Sequence, residues 1–224
     1  MNCIHIWKHI ERIIVVFTNF RNNWKQDKKL EKYLKKFRFY LRLTGVSAIS
    51  RRYFVMNAFD GALTALGVII GAWTSGPVQP RIIIGAGLGV SLAMGISGFS
   101  GTYFAERAER LRKLEELEKS LLLDLDNSVH VKAQRTAMIW AALVDALSPS
   151  LAAVVAILPF VFAHYSLISI NEAVIISLIL ILLVLFLIGV YLGKISKERL
   201  IISGIRIMIV GIITAAIIIL LGNI

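Results

Sequence analysis

Five stretches of this sequence, about 53–74, 82–104, 137–163, 172–193 and 201–222, are almost free of charge. Each is close to the roughly 20 residues that a helix needs to cross a bilayer. Hydrocarbon offers no partner to a backbone N–H or C=O, so a chain of such runs satisfies its peptide groups within helices. The expected fold is therefore all-α: a polytopic membrane protein with five transmembrane helices. Composition agrees, with 57% hydrophobic and only 17% charged residues and a mean hydropathy of +0.75. Soluble domains carry about a quarter charged residues.

The net charge of +11 suggests nucleic acid until the charges are located. Of 25 Lys and Arg, 13 lie in residues 1–52, seven in 105–136 and three in 194–199. Basic segments thus alternate with the short connections 75–81 and 164–171, as the positive-inside rule requires of cytoplasmic loops. This predicts a cytoplasmic N-terminus and an outside C-terminus, with lipid headgroups rather than nucleic acid as the partner of the charge. The domain division follows: a basic cytosolic or interfacial arm over 1–52, then a transmembrane domain over 53–224 that includes a cytosolic helical segment, 105–136. In the arm, Ile4, Trp7, Ile10, Ile13, Ile14 and Phe17, and then Leu30, Leu34, Phe37 and Leu41, recur at helical spacing. They predict amphipathic helices lying apolar side down on the membrane. The charges within IHIWKHIERIIVVF argue against a cleaved signal, and the single Cys3 excludes an internal disulfide.

No Gly or Pro separates span 2 from AERAERLRKLEELEKSLLLDLDNS, so its helix is expected to continue to about Asp124, with Leu111, Leu114, Leu117 and Leu121 as an apolar stripe. Away from their ends the spans contain three charges, Asp60, Asp145 and Arg206. Each costs roughly 2.5–3.5 kcal/mol on insertion scales, so each needs a compensating role. At 1.5 Å per residue, Asp60, Met94, Asp145 and Arg206 all fall roughly 8–15 Å from the cytosolic ends of their helices. Pro149 lacks the N–H that would bond the carbonyl of residue 145, and Pro159 does the same to residue 155. A freed carbonyl beside a carboxylate suits a divalent cation, and a nearby thioether suits Fe²⁺. The glycines of GAGLGVSLAMGISGFSG predict a central position for span 2. Two competing readings use the same residues. Arg206 could be the counter-ion of Asp145, leaving a non-transporting scaffold. Two aspartates at equal depth could also serve an intramembrane aspartyl protease, although no Gly-x-Gly-Asp is present. An enzyme is not expected.

FDGALTALGVIIGA, then SLAMGISGFSGTYFAERAE, then a third span ending in LPF, resemble the vacuolar iron transporter family, in its short, chiefly archaeal, prokaryotic branch. The resemblance covers about residues 52–222. It implies a homodimeric exporter moving Fe²⁺, and also Mn²⁺, out of the cytosol in exchange for protons, and with no sorting signal in the sequence a prokaryotic plasma membrane is the expected location. Metal is then substrate, with no permanently bound cofactor. The family's span 1 aspartate falls on Asp60 and its span 2 methionine on Met94. Its cytosolic metal-collecting glutamates fall on Glu106 and Glu109, with Glu116 on the same helical face. The family's Gly-Glu-Tyr after the methionine reads Gly98-Phe99-Ser100 here, and its long cytosolic helical domain is absent. Glu172, at the start of span 4, is expected either on the exit path or as a solvated helix-start glutamate.

Overall fold

A computed structural model describes residues 28–122 and 128–222; the first apolar patch, residues 4–17, lies outside the described residues. Among the described residues six helices follow one another: α1 (Lys28–Thr44), α2 (Val46–Thr74), α3 (Pro80–Leu121), α4 (Val129–His164), α5 (Ile170–Ser196) and α6 (Leu200–Gly222). The described residues contain no strand. α2 to α6 are each long and apolar enough to cross a membrane, at the five places the sequence predicts. The 42 residues of α3 and 36 of α4 make rods of about 63 and 54 Å, against a hydrocarbon core of about 30 Å. Both therefore project beyond the membrane at the end of the bundle that carries the basic segments, called the basic end below.

Local chemistry sets the helix ends. Gly45, at φ 61°, turns the chain between α1 and α2 in a conformation that costs glycine little. Pro80 opens α3 at a position where its missing N–H loses nothing. Ser128 caps α4 by accepting from the Val131 N–H at 3.3 Å. Ser169 and Glu172 form a reciprocal capping box at the start of α5. Glu172 is thus a helix-start residue, the second of its two expected roles.

α4, not the glycine-rich α3, is the centre of the bundle. Half of the α4 span is buried, against 17% for α3 and 11% for α6. The core joins Ala62, Leu66, Ile69 and Ile70 of α2 to Ala153, Ala156 and Phe160 of α4 and to Val174, Ile181 and Leu185 of α5. Small residues of α3 do allow close approach, but along one line only, where Ser91 and Ser150 exchange hydrogen bonds to each other's carbonyls at 3.4 and 3.0 Å. Gly85, Gly89 and Gly101 face open space.

The apolar stripe of α1 also differs from expectation. It packs on protein: Phe37 meets Trp140 edge-on at 5.4 Å, and Leu41 joins a cluster of Val46, Ala137 and Ala141. A helix that leads directly into α2 through a one-residue turn at Gly45 reaches the projecting end of α4 before it reaches lipid.

The tightest helix contact is between α2 and α4. A Cβ added at Gly61 would lie 2.5 Å from the Pro149 Cα, a separation that requires the two backbones to part. Overpacking of this kind costs about 1–3 kcal/mol. Gly61→Ala is expected to lower the thermal unfolding midpoint of the detergent-solubilised protein, whereas Gly71→Ala, which meets nothing within 4 Å, should leave it unchanged.

Candidate functional site

The close approach at Gly61 and Pro149 determines what happens one turn nearer the basic end. α2 and α4 run in the same direction, so Asn57 is brought over Asp145, each four residues before its contact partner. Asp145 is buried, at 5% exposure. The Asn57 side-chain amide donates to its Oδ1 and the Thr102 hydroxyl to its Oδ2. α3 closes the third side at Gly98, where a Cβ would lie 3.2 Å from Oδ2 and 3.4 Å from the carbonyl oxygen of residue 145. The carbonyl that Pro149 leaves without its helical donor therefore faces a bare stretch of α3 backbone, while α4 stays helical through both Pro149 and Pro159.

A ring of aromatics gives the depth. Phe54 and Tyr191 meet at 5.9 Å, Tyr103 and Phe104 at 5.6 Å, and Phe37 and Trp140 at 5.4 Å. Such residues gather at the membrane–water boundary. Asp145 lies five residues beyond Trp140, about 7 Å into the apolar layer.

A second polar layer lies at the basic end. Glu106 and Arg110 form a buried ion pair, with Arg110 Nε and Nη2 at 2.9 and 2.8 Å from Glu106 Oε2. The Tyr53 hydroxyl donates to Glu106 Oε1 at 3.2 Å. Arg110 also donates to Gln134, which contacts His130 at 3.1 Å. This layer borders a cavity of about 450 Å³ between α1, α2, α3 and α4, lined among others by Arg52, Tyr53, Glu106, Glu109 and Lys113. From that cavity, polar groups rise in steps: Glu106 with Tyr53, then Asp145 with Asn57 and Thr102.

The other expected site residues are distributed differently from the single layer that the sequence predicts. Asp60 does not converge with Asp145. It is exposed on the surface of the protomer and has no hydrogen-bond or ion-pair partner among the described residues. The reason is angular: Gly61 and Asn57 occupy the α2 face against α4, and Asp60 is rotated away from both. A protease dyad is not formed, since the two aspartates face different surroundings. Arg206 is not the counter-ion of Asp145; it pairs with Glu198 at 3.2 Å in an exposed bridge, which removes the basis of the scaffold reading. Met94 is half-buried on α3, one turn beyond Gly98. Glu109 pairs with Lys113 and Glu116 with Arg112, both at 3.0 Å and both exposed, so of the three α3 glutamates expected to collect metal only Glu106 enters the interior. No cluster of three or more His, Cys, Asp or Glu forms among the described residues. Thr102, Tyr53 and Gln134 are missed by the sequence reading, and Asn57, which nearness in sequence offers as a cap for Asp60, holds Asp145 instead. A signal for one of them, Thr102, exists: Gly98, Thr102, Glu106 and Arg110 recur every four residues on one face of α3.

The VIT family model matches residues 113–223, from the projecting end of α3 through α6. An uncharacterized protein of Methanocaldococcus jannaschii is 40% identical over 170 residues, a stretch covering 74% of this chain and 84% of that protein.

The two kinds of ion pair on α3 should behave oppositely on truncation. Removing one partner of a buried pair costs about 3–5 kcal/mol, because the other charge is left desolvated. Arg110→Ala should therefore destabilise the protein strongly in thermal unfolding, and Glu106→Gln combined with Arg110→Gln should recover part of the loss. Lys119→Ala breaks an exposed pair with Glu115 and should produce no measurable change.

Proposed function

Since this chain belongs to the VIT family, the vacuolar iron transporter family, we propose that it exports divalent transition metal, Fe²⁺ and also Mn²⁺, from the cytosol in exchange for protons. The observation that carries this reading is the stepwise series of carboxylates leading from the basic-end cavity to Asp145 inside the apolar layer. Intramembrane ionisable groups that face the bundle interior mark ion and proton pathways. With the basic end in the cytosol, the cavity receives metal from that side. Glu106 is the first interior carboxylate that a cation meets, and the Arg110 guanidinium beside it must give way. Asp145 is the second, with its own proline-freed carbonyl adjacent.

Asp60 belongs to the same pathway through a second copy of the chain. A lone carboxylate on a lipid-facing surface is costly, and the small residues of α3 leave an open face of the kind that lets membrane helices pack closely. A twofold partner on this face removes Asp60 from lipid and places it beside Met94, one turn outward from Asp145 on neighbouring helices. Proton coupling follows from ligand chemistry. A carboxylate binds a cation only when deprotonated, so loading metal releases protons and acid on the release side expels the metal. Glu109 and Glu116 act outside the membrane as weaker collectors, each already paired with a basic neighbour.

Reconstituted into proteoliposomes, the protein should move protons against an Fe²⁺ or Mn²⁺ gradient. Losing even an outer-shell partner of a metal site costs about 10–100-fold. Asp60→Ala and Asp145→Asn should each reduce the flux at least that much, while Glu116→Gln should leave most of it. Acidifying the loading side should weaken metal uptake. Unchanged flux in Asp60→Ala would refute the assignment. Light scattering of the purified protein should give twice the chain mass of 24.9 kDa.

A further inference from the structure

The α3–α4 seam has a second cavity at the basic end, on the flank opposite the one lined by α1 and α2. Its volume is about 380 Å³, and every lining residue comes from α3 or α4. Three lining residues are arginines, Arg107, Arg110 and Arg135, and none is acidic. Arg110 is buried and already engaged by Glu106 and Gln134. Arg107 and Arg135 are exposed and have no acidic partner among the described residues. The two face a shared space from neighbouring helices with their charge unspent.

The level of this cavity identifies its occupant. Tyr103 belongs to the aromatic ring that marks the membrane boundary, and Met138 and Ile139 lie at the same height, adjacent to Trp140. Arg107 is one turn nearer the basic end than Tyr103, and Arg135 one turn nearer than Ile139, about 6 Å in each case. The cavity thus has Tyr103, Met138 and Ile139 on the membrane side, where acyl chains begin, the guanidinium groups of Arg107 and Arg135 at the level where phosphates lie, and Leu111, Leu114 and Val131 closing its aqueous side. Guanidinium groups bind phosphate oxygens two at a time. A freely dissolved anion needs no apolar wall; an amphiphile does.

We propose that this cavity binds the phosphate-bearing headgroup of an anionic phospholipid from the leaflet at the basic end. Arg107 and Arg135 clamp the phosphate, the Tyr103 hydroxyl donates a further hydrogen bond, and Met138 and Ile139 contact the first carbons of the chains. The site is independent of the polar series leading to Asp145, because Arg110 and Gln134 stand between the two cavities.

Native mass spectrometry of the full chain, titrated with phosphatidylglycerol, tests this. Wild-type protein should retain phosphatidylglycerol in preference to phosphatidylcholine. A basic residue near an anionic surface contributes roughly fivefold in affinity, so Arg107→Gln with Arg135→Gln should bind about 25-fold more weakly. Should that double variant fail to fold, either single change, expected to be about fivefold weaker, decides the matter. Lys194→Gln with Lys197→Gln removes the same charge from another basic-end loop and should retain the lipid. Equal retention of phosphatidylcholine, a double variant within twofold of wild type, or equal loss in the Lys194 and Lys197 variant would each overturn the proposal. Displacement of the lipid by millimolar inorganic phosphate would overturn it too, by reassigning the arginines to a soluble anion.

Discussion

Everything in the membrane half of this molecule is arranged around keeping one carboxylate out of water. A desolvated Asp145 is tolerable only if its oxygens receive donors, and the donors come from two other helices, Asn57 of α2 and Thr102 of α3. Side chains as short as these reach only if the backbones are almost in contact. Gly61 against Pro149 and Gly98 against Asp145 itself meet that requirement. Bundle geometry and polar chemistry are thus one constraint. In a membrane, where apolar packing between helices has little driving force over lipid, such contacts carry much of the specificity.

The distribution of charge compensation divides the molecule by depth. Exposed glutamates of α3 are matched along the same helix at i,i+4, a weak arrangement in water. Glu106 is matched by Arg110 on its own helix but also by Tyr53 of α2. Asp145 has no cationic partner among the described residues and relies on the neutral donors Asn57 and Thr102. The progression from cationic to neutral partners leaves the deepest carboxylate with the least competition for an incoming cation. Asp60 extends the progression to its limit, with no partner among the described residues of one protomer, which supports the proposal that the pathway is completed by a second copy.

The fold was legible because bilayer thickness acts on length and hydropathy, which a single sequence displays. Five spans and the continuation of α3 beyond the membrane follow from local rules. Depth was legible for the same reason, through the rise per residue. Azimuth was not. Whether Asp60 or Gly61 faces α4 is a matter of 100° of helix rotation, set by which residue permits the closest backbone approach. The glycine directly after the aspartate had the stronger claim. The glycine content of α3 likewise indicated closeness without saying on how many sides, and one line of contact with α4 sufficed. Depth alone offers Arg206 as a possible counter-ion of Asp145, but Glu198, eight residues earlier at the basic end, is within reach of its long side chain.

α3 has one further consequence. It runs unbroken for 42 residues, and the four-residue spacing that seats Gly98, Thr102, Glu106 and Arg110 against α4 and α2 continues from the apolar layer into the aqueous part. A rod without a hinge transmits tilt: inclining it by about 5° about its midpoint displaces a tip about 30 Å away by roughly 2.5 Å. That is enough to separate a hydrogen-bonded pair. Glu106 and Arg110 lie on the same rod, about 8 and 14 Å from its midpoint, so the same tilt carries them together by roughly 1 Å, and the strain falls on their contacts to Tyr53 of α2 and Gln134 of α4 without a signal having to pass through other side chains.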